Sequence, residues 1–150
     1  MRGLCPNFYN GTLKGKVIVC GKPMTEWDEA EISVRIGYVF QDPFAQVSGI
    51  KETVFEEIGM GLENLGVEQE EMMRRIVEIA KEVQVDHLLQ KHPLALSGGQ
   101  CQRVAFASVL ALNSDIIVID EPTSQLDPEG TEDVFEIISR LKAKGKTVII

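Results

Sequence analysis

Cysteine is scarce in this 150-residue chain and poorly spaced: Cys5, Cys20 and Cys101 are odd in number and form no CxxC pair. That excludes a disulfide framework and offers no zinc site, so a reducing, cytosolic compartment is expected. Positive charge is also in short supply. Lys and Arg number 15 against 23 Asp and Glu, a formal net charge of -8, which opposes a nucleic-acid partner because such affinity rests on Lys and Arg neutralising phosphates. Long apolar runs are missing too. "VAFASVLAL", Val104 to Leu112, is about half of the roughly 18–20 residues that a bilayer crossing needs, and reads as a buried helix. The N-terminus lacks the charged-then-apolar order of a secretory signal. Internal repeats and low-complexity segments are likewise absent from the sequence.

What is present suits one domain with a reasonable core: 44% of residues are hydrophobic and 25% charged, an ordinary globular balance. Early in the chain, "GKVIVCGKPM" (Gly15–Met24) places a β-rich run between glycines, the pattern of a strand in a small hairpin. "RIGYVFQDP" (Arg35–Pro43) predicts a buried strand of Ile36, Tyr38, Val39 and Phe40 that ends at a polar Gln-Asp-Pro break. From Glu68 to Val83 the period becomes helical, with Met72, Ile76, Ile79, Ala80 and Val83 on one face. The Met72–Met73 pair is expected to pack in the core, and "DHLLQKHPLA" reads as a connector.

Ser97 precedes Gln100 by three residues, the spacing of a capping box, and the helix it opens runs to about Leu112. "DIIVID" (Asp115–Asp120) is a continuous apolar strand of the kind buried on both faces of a parallel sheet. Asp127 and Pro128 then form an N-cap and first-turn pair. Val134, Ile137, Ile138 and Leu141 give the following helix its stripe, Gly145 ends it, and "KTVII" begins another strand. Strand, helix, strand at these lengths predicts a right-handed parallel crossover and an α/β fold.

Two short stretches carry chemistry. Asp120 and Glu121 stand at the carboxyl end of a predicted parallel strand, where ligands of open α/β sheets gather. Asp120 in that position suits a magnesium ligand, direct or through water, and Glu121 suits a general base acting on an attacking water. A solvated strand terminus would contain the same residues, so the pair alone does not decide. Ser97, Gly98 and Gly99 open a helix, where free N–H groups and the helix dipole favour a phosphate; a flexible cap is the bland alternative. The two motifs lie about 20 residues apart, with "SQLD" just after and "VFQDP" far upstream, an ordered set beyond coincidence.

Together these motifs resemble the nucleotide-binding subunit of ABC transporters, a P-loop NTPase fold with a parallel core sheet, a helical subdomain and a small antiparallel piece. "LSGGQCQRV" is similar to the family signature, "IIVIDEP" to the Walker B strand with its catalytic glutamate, "SQLD" to the D-loop and "VFQDP" to the Q-loop. "GLCPNFYNGTLKGKVIVCGKPM" and "LDPEG" look most like the energy-coupling-factor branch, whose paired ATPases drive uptake of vitamins or transition-metal ions. The resemblance implies ATP and Mg2+ as cofactors. It implies Glu121 and Gln41 as catalytic, Asp120 and Gln41 at the metal, and Ser97, Gly98, Gly99, Gln100 and Asp127 at nucleotide, covering a partner's ATP across a head-to-tail dimer. It further implies a transmembrane partner docked between Gln41 and Leu96, and a location at the cytoplasmic face of the membrane. The expected division is a β piece with the Q-loop strand over 1–43, a helical subdomain over 44–96, and signature helix, Walker B strand, D-loop and last helix and strand over 97–150. Cys101, where a polar residue is usual, and Gln125, in place of a small one, depart from the family pattern.

A phosphate-binding G-x-x-x-x-G-K-[ST] is missing. "GTLKGKV", Gly11 to Val17, has one residue too few between its glycines, puts Val17 where a hydroxyl belongs and precedes a strand, so Lys14 and Lys16 read as surface charges. In the family this loop lies upstream, and a switch histidine follows the strand begun by "KTVII"; His87 and His92 are upstream of the signature and read as surface residues. The chain is therefore expected to be the middle of a longer ATPase, unable to hold ATP tightly by itself. Two other classes fit less well. A soluble ABC-type ATPase acting on DNA or ribosomes conflicts with the acidic balance and the short span from Gln41 to Ser97. A non-catalytic remnant rests solely on the missing loop.

Overall fold

In the computed structural model, residues 12, 14–124 and 126–150 are described; Cys5, Gly11, Leu13 and Gln125 lie outside them. Lys14 and Lys16 are exposed, and the chain passes from them into a strand. That strand, β1 (Ile18–Val19), pairs antiparallel with β2 (Lys22–Pro23), forming the small hairpin expected from Gly15–Met24. Its two-residue turn, Cys20 and Gly21, has φ of 49° and 78°, the left-handed pair that a tight hairpin requires.

Helix α1 (Glu29–Arg35) follows, opened by an Asp28–Glu31 capping box. It leads into β3 (Ile36–Val39), the first strand of a parallel sheet whose order is β3-β4-β5, with β4 at Ile116–Ile119 and β5 at Thr147–Ile149. Ile36 stands opposite Ile116, which in turn stands opposite Thr147. All three strands point the same way, so their carboxyl ends share one edge of the sheet. Between β3 and β4 the chain is helical: α2 (Pro43–Gln46), α3 (Val54–Asn64), α4 (Gln69–Glu82) and α5 (Gly98–Ala111). Helix α6 (Pro128–Ala143) crosses from β4 to β5.

Helix α5 is the centre of the packing. It contacts α2, α3, α4 and β3, and Val104, Ala105, Phe106 and Ala107 are fully buried in the main core. The close approach to β3 depends on Gly37, where an added Cβ would meet Val109 Cγ1 at 2.5 Å. Helix α6 contributes Val134, Ile137, Ile138 and Leu141 to the same core, as its stripe predicts. It ends at Gly145, which takes φ 77°.

Three expectations about burial need correction. Strand β4 is not covered equally on both faces: Ile117 and Ile119 are 1% exposed, while Ile116 and Val118 are half-buried. Their face meets a thin cluster of Val19, Ile32 and Ile36 with Met24 and Trp27, whereas the opposite face joins the main core. Phe40 is exposed because β3 has already ended at Val39. On α4, Met72 packs against the core but Met73, one position round the helix, is exposed.

Candidate functional site

The site grows out of the ends of β3 and β4. After Val39 the chain leaves the sheet, and Asp42 caps α2 by accepting a hydrogen bond from Phe44 N–H at 3.0 Å, with Pro43 in the first turn. This short helix aims Gln46 back at the strand. Gln46 Oε1 accepts from Phe40 N–H at 2.9 Å, and its Nε2 donates to Tyr38 C=O at 3.4 Å and Ala105 C=O at 3.3 Å. Gln41 is thus held in a loop tied to both the sheet and helix α5.

On the neighbouring strand, Asp120 N–H donates to Val39 C=O at 3.0 Å, extending the parallel pairing by one bond. Glu121 then leaves the sheet with φ 42°, a left-handed conformation that costs a non-glycine residue about 1–3 kcal/mol and clusters at functional sites. Its carbonyl accepts from both the N–H (3.2 Å) and the hydroxyl (3.1 Å) of Ser124, which hold the turn. The outcome is a contact between loops 80 residues apart: Gln41 Nε2 donates to Glu121 Oε2 at 2.6 Å. Beside it, Tyr38 hydroxyl donates to Asp120 Oδ2 at 2.7 Å. That bond, then partial burial and the carboxylate's charge, push the Tyr38 phenol above its ordinary ionisation range. Gln41, Asp120 and Glu121 all remain exposed.

A second cluster lies at the start of α5. Ser97 Oγ accepts from Gln100 N–H at 3.4 Å and Gln100 Oε1 accepts from Ser97 N–H at 3.2 Å. This is the capping box read from the sequence, so both side chains are engaged with their own helix. The N–H groups of the first helical turn have no intrahelical acceptors, and a Cβ built on Gly98 or Gly99 would meet nothing within 4 Å. The helix entrance is therefore open to an anion. Asp127 likewise caps its own helix, its Oδ1 accepting from Gly130 N–H at 2.8 Å. The structure thus brings Gln41, Asp120 and Glu121 together, while Ser97–Gln100 and Asp127 form separate helix entrances.

The donor chemistry fits magnesium held jointly with a phosphate. Asp120, Glu121 and the Gln41 side-chain carbonyl offer hard oxygen donors, yet the described residues contain no cluster of three or more His, Cys, Asp or Glu that could hold a metal alone. Mg2+ is commonly bound by one or two carboxylates plus substrate phosphates. His87 and His92 are exposed; His92 Nδ1 accepts from Leu94 N–H at 3.2 Å as a local cap. The partners missed by sequence reasoning are Tyr38 and Gln46. Gln46 stands among turn residues and gave no signal, and Tyr38 shows its role once the β3–β4 register places Val118 beside it and Asp120 two residues further along.

The sequence profile of the ABC transporter family matches residues 6–124. The energy-coupling factor transporter ATP-binding protein of Bacillus subtilis is 44% identical over 136 residues, 91% of this chain and 48% of that protein. Its counterpart in Halalkalibacterium halodurans is 43% identical over 144 residues, 93% of this chain and 51% of that one. Among solved structures, cbiO1 from Clostridium perfringens, part of the ABC transporter complex cbiONQ, superimposes with a TM-score of 0.82 at 31% identity, covering 95% of this chain and 58% of its own. The chain spans about half the length of the curated relatives it matches. No described helix is long and apolar enough to cross a membrane. On the strength of the profile, the relatives and the shared fold, this chain belongs to the ABC transporter family, as part of its ATP-binding domain.

Proposed function

We propose that these residues form the signature and Walker B portion of an ATPase subunit that drives an energy-coupling-factor type importer of a small solute such as a vitamin or metal ion. The observation that carries this reading is the 2.6 Å hydrogen bond from Gln41 to Glu121 beside Asp120, at the carboxyl edge of a parallel sheet. In it, Asp120 and Gln41 hold magnesium, whose charge when bound neutralises the phosphates of ATP. Glu121 accepts the proton of the attacking water, and Gln41 orients that carboxylate until nucleotide arrives. Ser97, Gly98, Gly99 and Gln100, with Asp127, cover the nucleotide of a second ATPase subunit, while the phosphate cradle for Asp120 comes from residues outside this sequence or from another subunit.

In this reading residues 44–96 form a helical subdomain facing a transmembrane subunit at the cytoplasmic side of the membrane. The exposed apolar side chains Phe44, Ile50 and Leu94 follow Gln41 and supply the docking surface. No nucleic-acid partner is proposed, in keeping with the net charge of -8.

Two measurements test the reading. Purified chain titrated with Mg-ATP is expected to bind more weakly than the micromolar range, and micromolar binding with turnover would overturn the divided site. In the complete ATPase containing these residues, Glu121→Gln is expected to lower turnover by about 10²–10⁴-fold, the usual contribution of a general base, with ATP affinity retained. A variant with unchanged turnover would remove Glu121 from the catalytic role.

A further inference from the structure

We infer that Tyr38 is a positioning residue that fixes the carboxylate of Asp120 for a divalent cation. Along β3, Tyr38 stands opposite Val118, and Asp120 lies two residues beyond Val118, on the same face of the sheet. The phenol spans that diagonal and donates to Oδ2 at 2.7 Å. With Oδ2 occupied by a donor, Oδ1 is left as the oxygen turned to a cation or its water.

The tyrosine itself is held in place. Its ring packs tilted against Phe40, with centroids 5.2 Å apart, and Phe40 is tied through its N–H to Gln46 at 2.9 Å. The Tyr38 backbone carbonyl accepts from Gln46 Nε2 at 3.4 Å. Asp120 is fixed from the other side by its N–H bond to Val39. An acidic ligand restrained through both backbone and side chain loses less freedom on binding metal than a solvated one. Outer partners of metal-bound carboxylates commonly contribute about 10- to 100-fold in affinity for that reason.

The inference rests on the assignment of Asp120 to magnesium, and the experiment separates the two. Mn2+, which suits the same oxygen donors, is titrated into the purified, isotope-labelled chain, and paramagnetic broadening of amide signals around residues 118–123 gives a dissociation constant, expected to be weak because no phosphate completes the cation's shell. Tyr38→Phe removes one oxygen atom and keeps the ring, so signals remote from the site should stay in place. For this variant the dissociation constant is expected to rise about 10-fold, and any rise beyond about 3-fold supports the role. A smaller change, or tighter binding, overturns it. Asp120→Asn should abolish the localised broadening. If broadening survives Asp120→Asn, or is never localised there in the parent chain, the metal assignment fails, and the Tyr38 role with it. If Asp120→Asn abolishes broadening while Tyr38→Phe binds as before, the Tyr38 role alone is lost.

Discussion

Glu57 is 3% exposed, and its carboxylate takes two hydrogen bonds from one residue, the backbone N–H of Ser48 at 2.7 Å and its hydroxyl at 2.8 Å. Ser48 Oγ in turn accepts from Ile50 N–H at 3.3 Å, so the loop after α2 is fastened to the first turn of α3. A carboxylate at such depth is tolerated because donors and the helix N-terminus stabilise its charge. Between them Gly49 takes φ 64°, and Leu94 lies 2.9 Å from where its Cβ would be.

Glu57→Ala should therefore lower stability by about 1.5–3 kcal/mol, the range for hydrogen bonds to a charged group. Glu57→Gln, which keeps one acceptor, should lose less. Urea unfolding measures the loss, and amide exchange at Ser48 and Ile50 should quicken in the alanine variant. Equal unfolding midpoints for parent and Glu57→Ala would mean that solvent serves Ser48 as well as Glu57 does.

The features legible in the sequence were those whose partners lie a few residues away. Ser97 and Gln100, Asp127 and Pro128, and the terminating Gly145 act within one helical turn, so their spacing was sufficient. The contacts that make the site act at longer range: Gln41 meets Glu121 across 80 residues and Tyr38 meets Asp120 across 82. Only the β3–β4 register brings those pairs together. The alternation along β4 was hidden because "IIVI" is apolar at every position, and what covers each face is decided by other elements. Helix α3 was obscured by Gly59 and Gly61, which weaken a helix by about 1 kcal/mol each relative to alanine. Their reason is tertiary: a Cβ at Gly59 would stand 3.0 Å from Ile76 Cδ1, and one at Gly61 would stand 2.9 Å from Leu112 Cδ2.

Cys101 departs from the polar residue usual in the family signature and sits 1% exposed against the core. Burial, with the negative charges of Asp42 and Glu57 adding to it, pushes its thiol up to about 11. Thiolate is the reactive form, so Cys101 should resist a disulfide reagent at neutral pH while exposed Cys20 is modified. In a Cys5→Ser, Cys20→Ser variant the reaction should proceed at the rate of unfolding and accelerate with urea. Prompt labelling in the native state would show that the start of α5 opens readily.

Glu71 offers a pH test on the exposed face of α4. Its carboxylate accepts from Arg74 Nε and Nη2, both at 2.8 Å, and from Arg75 Nε at 2.6 Å. Arg74 first, then Arg75, hold its carboxyl down at about 2, against about 4.5 when unperturbed. Because the folded value is the lower one, the unfolded chain binds the proton first as acid is added. The stabilisation is complete above about pH 5 and is lost as pH falls towards about 2. The gap in urea midpoint between parent and Glu71→Gln should thus be constant near neutrality and close progressively through that acid window. Added salt should narrow it, since these charges are open to solvent. A gap that stays constant from neutral to strongly acid pH would show that the arginines do not hold Glu71 in solution.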